Sequence, residues 1–101
     1  MRVRFLLEAE AEVDEAVEWY ASRDDTGELA DQFLDEVVRV RRLVGEYPYA
    51  WPELEPGVRR VVLRRFPYAL IYVVVQTEVR VFAVAHHSRE PGYWRGRGQQ
   101  P

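Results

Sequence analysis

The chain is 101 residues long, with 14 arginine or lysine residues against 17 acids, a formal net charge of −3, 48% hydrophobic residues and no cysteine. That length predicts one domain, since a second core would find too little chain, and the apolar and aromatic content is that of a folded globule, not a disordered segment. Without cysteine no disulfide can form, the first residues turn acidic before a signal-like apolar stretch develops, and the longest apolar run, 69–75, falls far short of the ~18 residues of a membrane span, so the expectation is a cytoplasmic protein with no membrane contact.

Val3, Phe5 and Leu7 alternate with Arg2 and Arg4, the period-2 pattern of a short, half-buried edge strand. From Glu8 the period changes. Ala9, Val13, Ala16, Val17 and Tyr20 stand at helical spacing, with Glu8, Glu10, Glu12, Asp14, Glu15 and Glu18 around them. Acids in the first turn also suit the positive pole of the helix dipole. A break at 22–27 follows, where Asp25 with Glu28 three residues on resembles a helix-starting cap. The second helix has the stripe Ala30, Phe33, Val37, Val40 and Val44, carries Arg39, Arg41 and Arg42 toward its end, and is stopped by Pro48.

The segment 47–57 holds three of the six prolines and reads as an irregular crossing loop. Three strand-like runs come next, 58–66, 69–75 and 79–85, joined by connections so short that only an antiparallel meander is possible. The middle run is nearly all apolar, as expected of a strand covered on both faces. The order strand, helix, helix, strand, strand, strand predicts an α+β fold, a helical hairpin packed on one face of a small, mainly antiparallel sheet. Residues 1–95 are expected to form the domain, and 96–101, rich in glycine and arginine, a flexible tail.

Charge divides the chain. Residues 1–46 hold 13 acids and 6 arginines, a net of −7, whereas 47–101 hold 4 acids and 8 arginines, a net of +4. Every basic residue is arginine, a planar fork suited to phosphate or carboxylate, although a compositional bias produces the same count. Arg59, Arg60, Arg64 and Arg65 cluster on the first meander strand, where alternation places Arg60 and Arg64 on one face with Val62 and Arg59 and Arg65 on the other. Such a surface suits a nucleic acid or acidic protein, and equally a solvated face pairing with the acidic helices.

The pair His86-His87, followed by Ser88-Arg89-Glu90-Pro91-Gly92-Tyr93-Trp94-Arg95, stands where the last strand ends. Its chemical reading has histidine as acid or base, Arg89 holding phosphate and Tyr93 or Trp94 stacking on a base. Its structural reading has polar strand-end residues and aromatics folding back onto the core, the commoner fate of such residues. No metal site is expected, because adjacent histidines in a strand point to opposite faces and no cysteine is available. Tyr47, Tyr49, Trp51, Phe66, Tyr68 and Tyr72 are read as core packing and loop anchors.

The element order, the run Arg60-Val-Val-Leu-Arg-Arg-Phe-Pro-Tyr-Ala-Leu-Ile-Tyr72 and the ending Val81-Phe-Ala-Val-Ala-His-His-Ser-Arg-Glu-Pro-Gly-Tyr-Trp-Arg95 resemble the RelE/ParE toxin superfamily of bacterial type II toxin–antitoxin systems. The resemblance implies a small cytoplasmic toxin without cofactor, neutralised by a cognate antitoxin that wraps it. Members similar to RelE cut mRNA in the ribosomal A site, and members similar to ParE poison DNA gyrase without being nucleases. For the nuclease branch the resemblance makes Arg60, Arg64, His86, His87, Arg89 and Tyr93 the catalytic candidates. Val62 and Ala69, however, stand where nuclease members tend to carry Lys and Arg, which weakens phosphate stabilisation. The ParE-like branch is therefore favoured, with Arg65, Tyr68, Trp94 and Arg95 as target or partner contacts. An mRNA endonuclease and a diverged, non-toxic antitoxin-binding module are the alternatives.

Overall fold

The computed structural model describes residues 1–98, and the elements run β1 (Arg2–Phe5), α1 (Leu7–Ala21), α2 (Glu28–Glu46), β2 (Glu53–Glu55), β3 (Val58–Val62), β4 (Tyr68–Val75) and β5 (Glu78–His86). The five strands form one sheet in the order β1-β5-β4-β3-β2. β1 pairs parallel to β5, which only the two intervening helices make possible, and every other pair is antiparallel. Among the described residues no helix is long and apolar enough to cross a membrane.

β1 is shorter than the alternation predicts. Leu6 is buried, and Leu7, expected to continue the strand, opens α1 with 81% of its surface exposed. The hairpin loop also departs from expectation: Asp24, not Asp25, organises the start of α2. Its carboxylate accepts from the Thr26 N–H (3.1 Å), the Thr26 hydroxyl (2.7 Å) and the Leu29 N–H (2.9 Å), while Gly27 in the left-handed region (φ 78°) turns the chain into the helix. That glycine swings the backbone so that the more distant acid reaches the free N–H groups. Arg39, Arg41 and Arg42 stop short of the last turn of α2, which holds no basic residue.

The predicted loop 47–57 contains β2, a strand too short to leave a periodic trace between Pro52 and Pro56. It pairs irregularly with the start of β3, and the Arg59 guanidinium braces the crossing by donating to the Trp51 carbonyl (2.6 Å). β3 itself ends at Val62 and not at Phe66. There the Arg64 backbone N–H turns to the Glu36 carboxylate on α2, and Arg65 adopts a left-handed φ of 68°.

The core lies between helices and sheet. Ala9, Ala16 and Tyr20 from α1 and Ala30, Phe33, Val37, Val40 and Val44 from α2 meet Val61, Leu70, Tyr72, Val79, Val81 and Val84. Tyr20, Phe33, Phe66 and Tyr68 pack mostly edge to face, with centroids 5.2 to 6.4 Å apart. On the opposite face Ala69, Ile71 and Ala83 bury Trp94. β4 is thus covered on both sides, as its apolar run predicts: Leu70 and Tyr72 face the helices, and Ala69 and Ile71 face the C-terminal segment.

Candidate functional site

β5 ends at His86, and the chain reverses through a turn in which the Arg89 N–H donates to the His86 carbonyl (3.0 Å) and the His87 N–H to the Pro67 carbonyl (2.9 Å). It returns across the helix-free face as a strap of short turns. Gly92, at φ 77°, permits the bend that lays Trp94 on Ala69 and Ile71. Strap and sheet enclose a groove of about 550 Å³ lined by Arg60, Val62, Ala69, His86, His87, Arg89, Tyr93 and Arg95. Five of the six residues named for the nuclease branch therefore converge. Arg64 does not: with β3 ended at Val62, it leaves the face of Arg60 and joins Arg39 and Glu36 beside α2.

The chemistry within the groove is set by what each group already binds. The Ser88 N–H donates to His86 Nδ1 (3.0 Å). In neutral His86 that places the proton on Nε2, with the Nδ1 lone pair engaged. The Tyr93 hydroxyl donates to Glu12 (2.6 Å), and burial first, then this bond, raise its pKa above the ordinary phenol range. Two guanidinium groups approach its ring, Arg89 at 3.8 Å and Arg97 at 5.0 Å from the centroid.

Glu12 also accepts from Arg97 (2.9 and 3.1 Å) and from the Val84 N–H (3.0 Å), tying the strap to α1 and to the side of β5. Neither Glu12 nor Arg97 is singled out by sequence reasoning. The signal was present, since Glu12 lies three residues after Ala9 and four before Ala16, within the buried stripe of α1. Glu36 is the same kind of residue on α2. It is buried, pairs with Arg39 at 2.7 Å, and this bond holds its carboxyl below the ordinary glutamate value.

The residues named for partner contact are placed unequally. Trp94 is buried, because the face of β4 it covers is apolar, and only 6% of its surface remains exposed, where it lines the groove. Tyr68 packs between Phe33 and His86, and opens with Trp19 and Tyr93 onto a second cleft of about 390 Å³ beside α1. Arg65 and Arg95 are exposed, the first donating to Gln32 (3.0 Å) and the second paired with Glu55 at 3.2 Å. The tail expected over 96–101 lies outside the described residues from 99 onward; within it, Arg97 is the residue bound to Glu12.

The family model for the ParE toxin of type II toxin-antitoxin systems, parDE, matches residues 3–91. The chain belongs to the ParE toxin family. It is thus a toxin of the type II class, and the matched stretch takes in both helices and all the strands save Arg2 at the start of β1, but ends before Tyr93. Among solved structures, a chain described as the chromosomal ParDE TA system from P. aeruginosa shares the fold, with a TM-score of 0.74 at 20% identity over 85% of this chain and 95% of that one. No curated protein matches the sequence.

Proposed function

We propose that this ParE-family chain poisons DNA gyrase, is neutralised by a cognate antitoxin, and does not itself cut RNA. The observation that carries this reading is that two acid–base groups of the groove are already committed, Tyr93 to Glu12 and His86 Nδ1 to Ser88, which leaves His87 alone for that role. Cleavage by an RNA 2′-hydroxyl needs a base free to take its proton and cations gathered at the phosphate. Val62 and Ala69 supply apolar surface in place of cations, and Arg64 is turned away. Arg65 and Arg95, both exposed, are then the candidates for contact with the target protein.

Purified protein should abolish supercoiling by gyrase or raise the level of cleavage complexes, and RNA 5′ ends mapped minutes after induction should show no new cuts inside codons. Unchanged gyrase together with codon-internal cuts would overturn the reading. The convergence of Arg60, His86, His87, Arg89 and Tyr93 on one groove favours an mRNA endonuclease as the second reading. On that reading Arg89→Ala abolishes cutting while the fold persists. Growth that continues with neither effect would mark an antitoxin-binding module without toxicity. Saturating antitoxin should raise the melting temperature in every case, since a ligand of the native state stabilises it by mass action.

A further inference from the structure

The cleft beside α1 exists because the helix sets a small residue among large ones. Glu12, Glu15, Ala16, Trp19 and Tyr20 recur at three- and four-residue spacing, so all five turn to one side of α1. Ala16, buried at the middle of that side, contributes only a methyl group. Across from it stand Tyr68, brought to the start of β4 by the turn at Pro67, and His86 at the end of β5. The walls enclose about 390 Å³, at the small end of ligand sites and suited to one compact polar group.

Rings and oxygens line this space together. Trp19, 50% exposed, Tyr68 and Tyr93 supply aromatic surface, and the Glu15 carboxylate joins the Tyr20 and Tyr68 hydroxyls as oxygen. Among the described residues none of these three oxygen groups has a hydrogen-bond partner. Because every fully buried side-chain polar atom does have one, the three are open to the cleft they line. They also feel one another: burial first, then Tyr20 and Glu15, raise the Tyr68 phenol above its ordinary pKa. The neighbouring groups are occupied. Glu12 is held by Arg97 and Tyr93, and His86 Nδ1 by Ser88. Arg89 lies on the Tyr93 ring at the far wall. Arg23 covers Trp19 at 3.7 Å from outside the cleft.

The lining selects the chemistry of a guest. α1 carries acids at 8, 10, 12, 14, 15 and 18 and no basic residue, which repels an anion. An apolar guest would strip water from three oxygens and give them nothing in return. A metal ion would need converging ligands, and among the described residues no group of three such side chains exists. A planar cation answers both surfaces, with N–H groups for the oxygens and a flat face for the rings. The same molecule already lays guanidinium groups on two of these rings, Arg23 on Trp19 and Arg89 on Tyr93.

We infer that the cleft beside α1 is a binding site for a guanidinium group, paired with the Glu15 carboxylate, stacked against Trp19 and Tyr68, and donating to the Tyr20 and Tyr68 hydroxyls. Such a group comes either on a free small guanidine or on an arginine side chain of a partner. The site does not depend on the toxin reading above.

The test titrates methylguanidine and, separately, N-acetyl-arginine amide into the isotope-labelled full chain, with N-acetyl-citrulline amide as the uncharged isostere. The Trp19 indole and the Tyr68 amide should shift saturably with both cations and not with the citrulline compound. Equal affinity for the two cations would identify a free guanidine as the occupant, and tighter binding of the arginine compound a side chain. Glu15→Gln, at an exposed position, should bind roughly tenfold more weakly. Trp19→Leu should bind about two- to fivefold more weakly with no change of charge. Absence of saturation through the millimolar range would overturn the inference. So would an equal response to the citrulline compound, undiminished binding by Glu15→Gln, or shifts confined to Arg60–Val62.

Discussion

Replacing Glu12 by alanine removes the acceptor of four hydrogen bonds at once: from the Val84 N–H at 3.0 Å, the Tyr93 hydroxyl at 2.6 Å and the Arg97 guanidinium at 2.9 and 3.1 Å. Water cannot readily replace it, since the Arg97 and Glu12 side chains are only 17% and 11% exposed. Removing one partner of a buried ion pair costs about 3–5 kcal/mol, because the other charge is left uncompensated. The residual exposure places this variant at the low end, ~3 kcal/mol. With about 4–8 °C lost per kcal/mol in a domain of this size, the melting temperature should fall by roughly 12–24 °C. Thermal unfolding followed by circular dichroism measures this, and a double-mutant cycle with Arg97→Met should return a coupling of about 1.5–3 kcal/mol. Glu15→Ala, at an exposed position on the same helix, is the control and should stay within about 0.5 kcal/mol of the unaltered chain. A Glu12→Ala loss under about 1 kcal/mol, or no coupling to Arg97, would refute the claim that this carboxylate holds the strap to α1.

Tyr72→Phe deletes the 2.7 Å hydrogen bond from a fully buried side chain to the Pro48 carbonyl, and should lower stability by about 1–2 kcal/mol in urea unfolding. Gly45→Ala would bring a methyl group to 2.9 Å from the Met1 carbonyl oxygen and 3.1 Å from a Val3 methyl. It should cost about 1–3 kcal/mol and speed amide exchange in β1. On acidification, Glu36 should contribute its stability above the ordinary glutamate value of 4.5 and lose it as pH falls through its lowered folded value, with Glu36→Gln flattening that limb. On the alkaline side the raised Tyr93 phenol works in the opposite sense. Its contribution is intact below the ordinary value of 10.0 and fades above it, and Tyr93→Phe should reduce that loss in pH-dependent urea midpoints.

Periodicity made the two helices and the meander legible because each must bury one face: the stripe Ala30, Phe33, Val37, Val40, Val44 is buried in the structure as its spacing predicts. Local signals misled where a tertiary contact outweighed them. Alternation carried β3 on to Phe66, but the Glu36 carboxylate, 28 residues away, captures the Arg64 N–H and ends the strand. The same event separates Arg64 from Arg60, so one candidate left the groove for a reason that no window around residue 64 contains. Glu12 and Glu36 escaped notice because an acid within a helical stripe looks like an interruption of the pattern, and its partner lies elsewhere in the chain.

Within the chain's own order, the residues determined the α+β class, the hairpin, the meander and the resemblance that the family match supports, because these follow from local periodicity and from short runs of residues. Only the tertiary structure decided which functional groups are free. Tyr93 and Arg97 lie 81 and 85 residues from Glu12, and no spacing rule relates them until β5 and α1 are packed side by side. Once they are, burial makes an unpaired charge costly, so the three side chains bind one another and close the outer side of β5 beyond β1.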